Sequence, residues 1–278
     1  MLTQSDKARA FRALHERPGA FIIPNPFDVG TARLLAHMGF EAVATTSAGY
    51  AFTAGKPDHG ISRDDMLEHV AGIAAAVDLP VSGDLENGYG DSPQDAAQTI
   101  LLAAAAGLVG GSIEDSTNRP DDPIYDIDAA AERVRAAAEA AHALSFPFTL
   151  TARAENYLHG RNNLTDTIKR LQAYQEADAD VLYAPGLTHR EDIEAVVRSV
   201  DRPVNVLAGL GDPPLDLATL SAVGVRRISV GGALSRAALG AFFRAAHEMR
   251  DHGTFTFTKD AANSRDLNVI FTKMTERN

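Results

Sequence analysis

The sequence contains no cysteine, which excludes disulfide bridges, thiolate metal sites and a thiol nucleophile from the chemistry of the protein. Tryptophan is also missing, and aromatic residues make up only 6% of the 278 residues. Basic residues are few, because 26 Lys and Arg stand against 37 Asp and Glu, which gives a formal net charge of -11. Binding to nucleic acid or to an anionic membrane needs a basic surface, so this balance argues against both partners. A small anionic substrate stays compatible, since it needs only a local cation or a metal ion.

Long hydrophobic runs are missing as well. No stretch reaches transmembrane length, and the N-terminal residues MLTQSDKARAFRALHERPG lack the apolar core of a signal peptide. We therefore expect a cytoplasmic protein that binds no membrane.

A chain of 278 residues suits one α/β domain. We predict a single domain over residues 1–278, with an N-terminal helix over 3–17 and a C-terminal extension over 254–278. Within this extension we expect TFTFT to be extended and NVIFTKM to form a short helix.

Eight apolar segments of strand length alternate with segments of helical periodicity. The strand-like segments are FIIPNPF, EAVATTS, PVSGDLE, GGSIED, FTLTARA, VLYAPG, PVNVLAG and RRISVGG. Alternation of this kind indicates βαβ units and a parallel sheet, and eight units in a chain of this length predict a (β/α)8 barrel. A doubly wound open sheet is the alternative, but no GxGxxG pattern follows the first strand.

Polar side chains follow most of these strands, at the end where such barrels carry their active sites. The stretch PVSGDLENGYGDSP sets Asp84 and Glu86 after the third strand, and alternation along a strand predicts that both face the same side. Glu114 follows the fourth strand and Arg153 lies at the end of the fifth. Asn205, from the seventh strand, is a candidate for substrate binding. Further candidates at strand ends are Asn25, Asp28, Thr45, Thr46, Ser47, Asp115, Glu155, Gly231 and Gly232.

The acids of the third and fourth strands, Asp84, Glu86 and Glu114, form a set of oxygen ligands only. Such a set favours a hard cation, with Mg²⁺ as the first choice and Mn²⁺ as the second. Mg²⁺ keeps several waters, so we expect one direct carboxylate and others that act through water. Arg153 facing this cluster is suited to hold a substrate carboxylate through two parallel hydrogen bonds. Any one of these acids alone is as well explained by helix capping, whereas their convergence at one rim favours function.

Two glycine-rich segments and the histidines give weaker signals. The segments LAGLGD (207–212) and SVGGALS (229–235) resemble phosphate-binding loops, with tight βα turns as an equally good interpretation. His59, His159 and His189 show neither a metal-ligand spacing nor a triad spacing. We interpret most of them as surface residues, with His59 in a candidate lid.

Four segments carry a family resemblance. TTSAGYA follows the second strand, GDLENGYG the third and SIEDS the fourth, and TARAE lies on the fifth. In these segments the chain resembles the isocitrate lyase/phosphoenolpyruvate mutase superfamily, whose third-strand pattern is Asp-x-Asp-x-Gly-aromatic-Gly, with Glu86 here in place of the second Asp. The resemblance implies a (β/α)8 barrel whose C-terminal helix is exchanged with a neighbouring subunit, in a homodimer or a homotetramer.

The resemblance also implies a role for each matching residue. Asp84 is expected to be the direct Mg²⁺ ligand, while Glu86 and Glu114 act mostly through metal-bound water. Arg153 is expected to bind a carboxylate or the group that is transferred. Asp58, in GKPDHG, aligns with a loop aspartate that works beside the reacting bond. The carboxylate or enolate oxygen of the substrate is expected at Ser47 and at the backbone N–H groups of Ala48 and Gly49.

Departures from the family narrow the expected reaction. Isocitrate and methylisocitrate lyases carry their catalytic Cys in a Lys-[Lys/Arg]-Cys-Gly-His loop after the fourth strand, whereas this loop reads STNRPDDPIYD. Phosphonopyruvate-handling members place a Lys and an Asn there, and here Asn118 and Arg119 are present without the Lys. We therefore expect a Mg²⁺-dependent lyase or decarboxylase that cleaves a C–C bond of a small 2-hydroxy or 2-oxo dicarboxylate through a pyruvate-like enolate.

Two other functions stay open at this point. One is a phosphoenolpyruvate or phosphonopyruvate mutase or hydrolase, which acts on a C–P bond, and the other is a non-catalytic barrel that binds a small acid. In the favoured mechanism Glu114 or Asp58 is the general base. The loop 116–127, which carries Asn118 and Arg119, is expected to close over the substrate and exclude water.

Overall fold

Eight parallel strands form one sheet that curls into a nearly closed barrel. The computed structural model describes residues 2–276, and the side chains of residues 2–274. The strands neighbour one another in the order β1-β8-β7-β6-β5-β4-β3-β2, and a backbone hydrogen bond of 3.1 Å from Ala44 N to Pro24 O joins the two ends. The prediction of a (β/α)8 barrel is confirmed, and each predicted segment contributes one strand. The strands are β1 (Phe21–Ile23), β2 (Val43–Ala44), β3 (Val81–Asp84), β4 (Gly110–Glu114), β5 (Thr149–Arg153), β6 (Val181–Tyr183), β7 (Val204–Leu207) and β8 (Arg227–Ser229).

Helices cover the outside of the barrel and one of its ends. Within residues 2–276 one or two helices lie between each pair of successive strands, and three helical segments follow β8. The helices are α1 (Gln4–Glu16), α2 (Val29–His37), α3 (Ser47–Thr53), α4 (Arg63–Ala76), α5 (Pro93–Ala105), α6 (Ile127–His142), α7 (Leu164–Glu176), α8 (Arg190–Arg198), α9 (Leu217–Ala222), α10 (Ala233–His252) and α11 (Ser264–Glu276), with a 3₁₀ helix at Thr256–Asp260.

Local sequence signals explain where many of the helices begin. A Ser, Thr, Asp or Asn stands at most of the starts, and its side-chain oxygen accepts a hydrogen bond from a backbone N–H of the first turn. At α5, for example, Ser92 accepts from the N–H of Asp95, and Pro93 occupies the first turn, where its missing donor does no harm. Where such a helix directly follows a strand, as α5 follows β3, the strand end and the helix start meet at the same rim of the barrel.

The strands are paired in a register that sends one row of side chains into the barrel. Glu114, Arg153, Tyr183, Asn205 and Arg227 are successive partners across β4 to β8. Residues paired in this way point to the same face of a sheet. The charged and polar residues of five strands therefore share the interior, and they lie at different depths because the strands are tilted.

The N-terminal helix α1 closes the end of the barrel that is opposite to this rim. Its Phe11 is fully buried and packs with Phe21, Ile23 and Val109. At Gly110 a Cβ atom would come within 2.8 Å of Cε1 of Phe11, so β4 needs glycine where the aromatic ring approaches. The predicted helix over 3–17 is confirmed as Gln4–Glu16, with Thr3 as its capping residue.

The C-terminal extension differs in part from the prediction. The segment TFTFT, which alternates like a strand, forms part of the 3₁₀ helix, because a lone extended segment has no free strand edge to pair with in a nearly closed barrel. The helix expected around NVIFTKM is α11, and it packs against α2 of the same chain. The exchange of this helix between subunits stays a prediction, as does the single domain. Residues 277–278 of the predicted extension lie outside the described residues.

Candidate active site

A cavity of about 460 Å³ opens at the rim formed by the carboxyl ends of the strands. Six of the predicted catalytic and substrate-binding residues, together with the predicted direct metal ligand, line it. They are Ser47, Ala48, Asp58, Asp84, Glu114, Arg153 and Asn205. A second cavity, of about 860 Å³, lies at the opposite end between α1 and the loops before the strands, and none of the predicted site residues lines it.

Arg153 is the centre of the charged cluster. Its Nη1 lies 3.1 Å from Oε2 of Glu114 and 3.4 Å from Oδ1 of Asp84, and its Nε donates to Oε1 of Glu155. Burial opposes the charge of the guanidinium, but the carboxylates of Glu155, Glu114 and Asp84 together raise the pKa of Arg153 well above its usual value. Three carboxylates thus share one cation at the rim.

The two glutamates of this cluster are driven towards their neutral forms by burial. Burial raises the pKa of Glu114 well above its usual value, and Arg153 only partly offsets this effect. Burial likewise raises the pKa of Glu155, and the positive charge of Arg153 again offsets this rise only in part. A raised pKa makes a carboxylate a stronger base, which is a property that a general base requires.

Asp84 is held in place by the start of α3. Its Oδ2 accepts hydrogen bonds from the backbone N of Ser47 at 2.9 Å and from Oγ of Ser47 at 2.8 Å. The backbone N of Asp84 donates to Oγ1 of Thr45 at 2.9 Å. The carboxylate that we expect to bind the metal directly is therefore fixed before any ligand arrives.

Glu86 lies near the site, but the alternation of side chains along a strand does not explain its position. Strand β3 ends at Asp84, and Glu86 has a φ of 48°, in the left-handed region. The prediction that Glu86 and Asp84 share a strand face is therefore wrong, because the strand has ended. Glu86 is nevertheless buried, with its Oε2 3.5 Å from Nδ1 of His59, although it is not among the residues that line the cavity.

His59, which the sequence analysis assigned to a candidate lid without a role in the site, lies in the cavity wall. It lines the cavity beside Asp58, and its hydrogen bond to Glu86 raises its pKa to about 9 in spite of burial. His159 also lines the cavity, with its Nε2 3.4 Å from Oγ of Ser116. Neither histidine could be found from a local motif, because each partner lies at least 27 residues away in the chain.

The oxygen atoms present fit a hard divalent cation. Oε1 of Glu86 and Oε1 of Glu114 are both buried without a hydrogen-bond partner. Burial of such an oxygen costs free energy unless a cation or a water molecule binds to it. Within residues 2–276 no three acidic or histidine side chains are arranged to hold a metal ion directly. This arrangement suits Mg²⁺, which is held by few carboxylates and keeps several waters.

The other predicted substrate contacts are Ala48, Gly49 and Asn205, and only some of them are free to contact a ligand in the cavity. Ala48 lines the cavity, whereas the N–H of Gly49 donates to Oγ1 of Thr46 at 3.2 Å and so caps α3. A Cβ at Gly49 would lie 2.5 Å from Cγ2 of Thr46, which is a packing reason for glycine there. Asn205 binds its neighbours on β8 inside the barrel, with Nδ2 3.0 Å from Oγ of Ser229.

The loop after β4 contacts one residue of the cavity wall, since Oγ of Ser116 lies 3.4 Å from Nε2 of His159. Arg119 forms an exposed ion pair with Asp91 at 3.0 Å, and Asn118 accepts from Oγ of Ser116 at 3.1 Å. Neither Asn118 nor Arg119 lines the cavity. At the base of the loop Asp115 is buried against Arg170 at 3.0 Å, so this acid anchors the loop. The gating role of Asn118 and Arg119 stays a prediction.

The glycine-rich segment after β8 is tied to β1. Oδ1 of Asn25 accepts from the backbone N of Val230 at 2.9 Å and from that of Gly231 at 3.0 Å. Two N–H groups that a phosphate would need are therefore used within the protein. This favours the tight-turn interpretation of residues 229–235 over a phosphate-binding loop.

Comparisons with known proteins identify relatives over most of the chain. The sequence profile of the family described as phosphoenolpyruvate phosphomutase matches residues 11–250. A crystal structure from Burkholderia cenocepacia J2315, described only as a lyase/mutase, is 65% identical, has a TM-score of 0.94 and covers 96% of both chains. An uncharacterized protein of Mycobacterium tuberculosis is 31% identical over 244 residues, which are 87% of this chain and 89% of its own.

A curated relative has a stated activity. The oxaloacetate decarboxylase of Chromohalobacter salexigens is 28% identical over 257 residues, which are 90% of this chain and 87% of its own. The family match covers far more than half of the chain, and the observed barrel is the fold that the family resemblance implies. The chain belongs to the phosphoenolpyruvate phosphomutase family, within the superfamily of lyases and mutases that also includes isocitrate lyase.

Proposed function

We propose that the protein is a Mg²⁺-dependent lyase or decarboxylase that cleaves a C–C bond of a small 2-hydroxy or 2-oxo dicarboxylate, such as oxaloacetate or an alkylated malate. The observation that carries this proposal is the convergence of Asp84, Glu114 and Arg153 in one cavity, with a buried glutamate oxygen left without a partner. The similarity to an oxaloacetate decarboxylase supports C–C cleavage of a dicarboxylate.

Asp84 is the residue that we propose as the direct ligand of Mg²⁺, with Mn²⁺ as the second choice. Glu86 and Glu114 would hold the ion mainly through its waters. When bound, the ion supplies Lewis-acid stabilisation of the negative charge that develops on the 2-oxygen of the substrate. Ser47 keeps Asp84 oriented for this purpose through the two hydrogen bonds that it donates.

Arg153 and the buried carboxyl groups supply the remaining chemistry. The guanidinium of Arg153 binds a substrate carboxylate, for which its planar donors are well matched. For a 2-hydroxy substrate a base must take the hydroxyl proton, and Glu114 and Asp58, which both line the cavity, are the candidates for this base. Closure of residues 116–127 keeps water from the enolate, so that the cleavage product is not protonated too early.

Chemistry at a C–P bond is the second candidate, and the family match favours it. The matched family is described as phosphoenolpyruvate phosphomutase, and Asn118 is present in the loop after β4. The Lys that phosphonopyruvate-handling members place in that loop is missing, which is why C–C cleavage is preferred. Incubation with phosphonopyruvate and phosphoenolpyruvate, followed by ³¹P NMR, distinguishes the two, since any new phosphorus resonance would favour the second candidate.

Thermal unfolding with oxalate and Mg²⁺ tests the site before the substrate is known. Oxalate has the planar charge of a pyruvate enolate, and a ligand that binds only the folded state raises the unfolding temperature. We expect little effect of oxalate alone and a rise of several degrees when millimolar oxalate and Mg²⁺ are present together. An unfolding temperature that does not respond to the pair at high concentration would contradict the proposed metal site and its enolate chemistry.

We further propose a homodimer or a homotetramer. Phe242 and Phe243 on α10, and Phe255 after it, leave 66%, 59% and 63% of their surface exposed in the single chain. Apolar surface of this kind commonly marks a contact with another chain. Light scattering is expected to give a mass of two or four chains, and the double variant Phe242→Asp/Phe243→Asp is expected to lower it. A monomeric mass for the wild type would contradict the assembly.

Membrane partners are not part of the proposal. Among residues 2–276 no helix combines the length and the apolar composition that are needed to cross a bilayer. The cytoplasmic location stays a prediction.

A further inference from the structure

The floor of the active-site cavity is polar, although it lies inside the barrel. Barrels of this fold usually fill their interior with Val, Ile and Leu. Here the side chains that continue the cavity below Asp84 and Arg153 are hydroxyls, an amide and one guanidinium. They are Ser82, Ser112, Tyr183, Asn205, Ser229 and Arg227.

Arg227 is the one cation of this floor, and it is incompletely satisfied. The residue is 5% exposed. Its Nε donates to Oδ1 of Asn205 at 3.0 Å and its Nη2 donates to Oγ1 of Thr151 at 3.0 Å. Its Nη1 is buried without a hydrogen-bond partner. No carboxylate in the described part of the chain forms an ion pair with it.

A buried guanidinium without an ionic partner lowers the stability of the folded protein. Burial lowers the pKa of Arg227 to about 10, so the side chain is still charged at neutral pH. The usual partners of a buried charge are an acid or a bound ion. The three acids at the rim are taken by Arg153, at the ends of β3, β4 and β5. Arg227 therefore lines a cavity in which no internal anion pairs with it, and one of its donors has no partner, so an anion brought by a ligand would complete its interactions.

The position of Arg227 relative to Arg153 sets the length of such a ligand. Thr151, which receives a hydrogen bond from Arg227, stands two residues before Arg153 on β5. Two residues of a strand span about 6–7 Å. A two-carbon acid bound at Arg153 is too short to reach this depth, whereas a chain of four or five carbons places a second carboxylate there.

We propose that Arg227, together with Asn205, forms a second anion subsite that binds the distal carboxylate of a four- or five-carbon dicarboxylate whose other end lies at Asp84 and Arg153. The inference rests on the proposed function, and it specifies the substrate class of the same site. The subsite selects dicarboxylates over monocarboxylates of equal length. The arginine on β8 gives no local sequence signal for this role beyond being a charge within an apolar strand.

Calorimetric titration in the presence of Mg²⁺ tests the subsite with matched pairs of acids. The pairs are malate against 2-hydroxybutanoate, and 2-oxoglutarate against 2-oxopentanoate, because the members of each pair differ only in the distal carboxylate. We expect the wild type to prefer the dicarboxylate in at least one pair by roughly 10- to 100-fold, as a charge-assisted hydrogen bond in a buried site provides. In Arg227→Met this preference is expected to vanish, while the affinity for oxalate with Mg²⁺ changes less than about threefold.

Three controls keep the outcome specific. Arg226→Met removes the neighbouring, partly exposed arginine and is expected to leave the preference intact. Arg227→Lys keeps a cation without the forked donors and is expected to retain part of the preference if Arg227→Met does not fold. The unfolding temperature of ligand-free Arg227→Met is expected to be unchanged or higher, because an uncompensated buried charge has been removed.

The possible results separate the subsite from the proposed function. Absence of a dicarboxylate preference in the wild type, or its survival in Arg227→Met, overturns the subsite even when oxalate and Mg²⁺ bind normally. A parallel loss of oxalate binding and of the preference in Arg227→Met also overturns it, since that pattern reports general damage. A preference that depends on Arg227, in a protein that does not respond to oxalate and Mg²⁺, supports the subsite and contradicts the proposed metal chemistry.

Discussion

Asp84→Asn is expected to lower Mg²⁺-dependent turnover of a dicarboxylate substrate by about 10³-fold or more. Loss of the direct ligand removes the ion whose charge stabilises the enolate, and stabilisation of that kind amounts to several kcal/mol. The amide retains an oxygen that can accept from the N–H and the Oγ of Ser47, so the fold around the site is preserved. The measurement is the release of a 2-oxo acid product from a panel of 2-hydroxy and 2-oxo dicarboxylates, followed by NMR.

Asp91→Asn is the matched control for this variant. Asp91 lies seven positions further along the same loop, but its carboxylate is exposed and pairs with Arg119 outside the cavity. An exposed ion pair contributes roughly 0–1 kcal/mol, so its loss should leave turnover within about threefold of the wild type. Near-normal turnover of Asp84→Asn, with Asp91→Asn equally active, would remove Asp84 from the metal site.

Much of the barrel could be predicted from the sequence because its signals are local. Each strand is a short apolar run that is followed by a helix start, as at β3, where Ser92 and Pro93 begin α5. Strand alternation and barrel topology then bring Asp84, Glu114 and Arg153 to one rim without any knowledge of side-chain packing. The failure at TFTFT has the opposite cause, since its alternation predicts an extended segment but no unpaired strand edge is available to pair with it.

The parts of the site that escaped prediction depend on contacts between distant segments. His59 lies in the loop between α3 and α4 and is identified only by its 3.5 Å distance to Glu86. The left-handed backbone of Glu86 itself turns the chain towards that loop. Arg227 is identified only by its lack of an acidic partner in the folded structure. The sequence shows an arginine in an apolar strand but not whether an acidic side chain lies opposite it. The sequence suggested Gly49 as a substrate contact, whereas the structure uses its N–H to cap α3. These are questions of three-dimensional packing, which residue spacing does not resolve.

Arg153→Met is expected to destabilise the protein by about 3–5 kcal/mol and to make its stability strongly dependent on Mg²⁺. The side chain is 17% exposed and is the shared cation of Asp84, Glu114 and Glu155, so its loss leaves three neighbouring carboxylates without a counter-ion. A fall of roughly 10 °C in the unfolding temperature corresponds to this loss. Because two of these acids, Asp84 and Glu114, are proposed Mg²⁺ ligands, removal of the competing cation should strengthen their attraction for Mg²⁺. Millimolar Mg²⁺ should therefore raise the unfolding temperature of the variant by several degrees more than that of the wild type.

Arg119→Met provides the comparison for this effect. Arg119 is also paired with an acid, but the pair is exposed, so the variant is expected to lose less than about 1 kcal/mol and to show the Mg²⁺ response of the wild type. A large destabilisation of Arg153→Met that Mg²⁺ does not relieve would show that the three carboxylates neutralise by taking up protons rather than by binding a cation. In that case Arg153 would be a structural counter-ion, and the acids at the rim would not form the metal site on which the proposed lyase reaction depends.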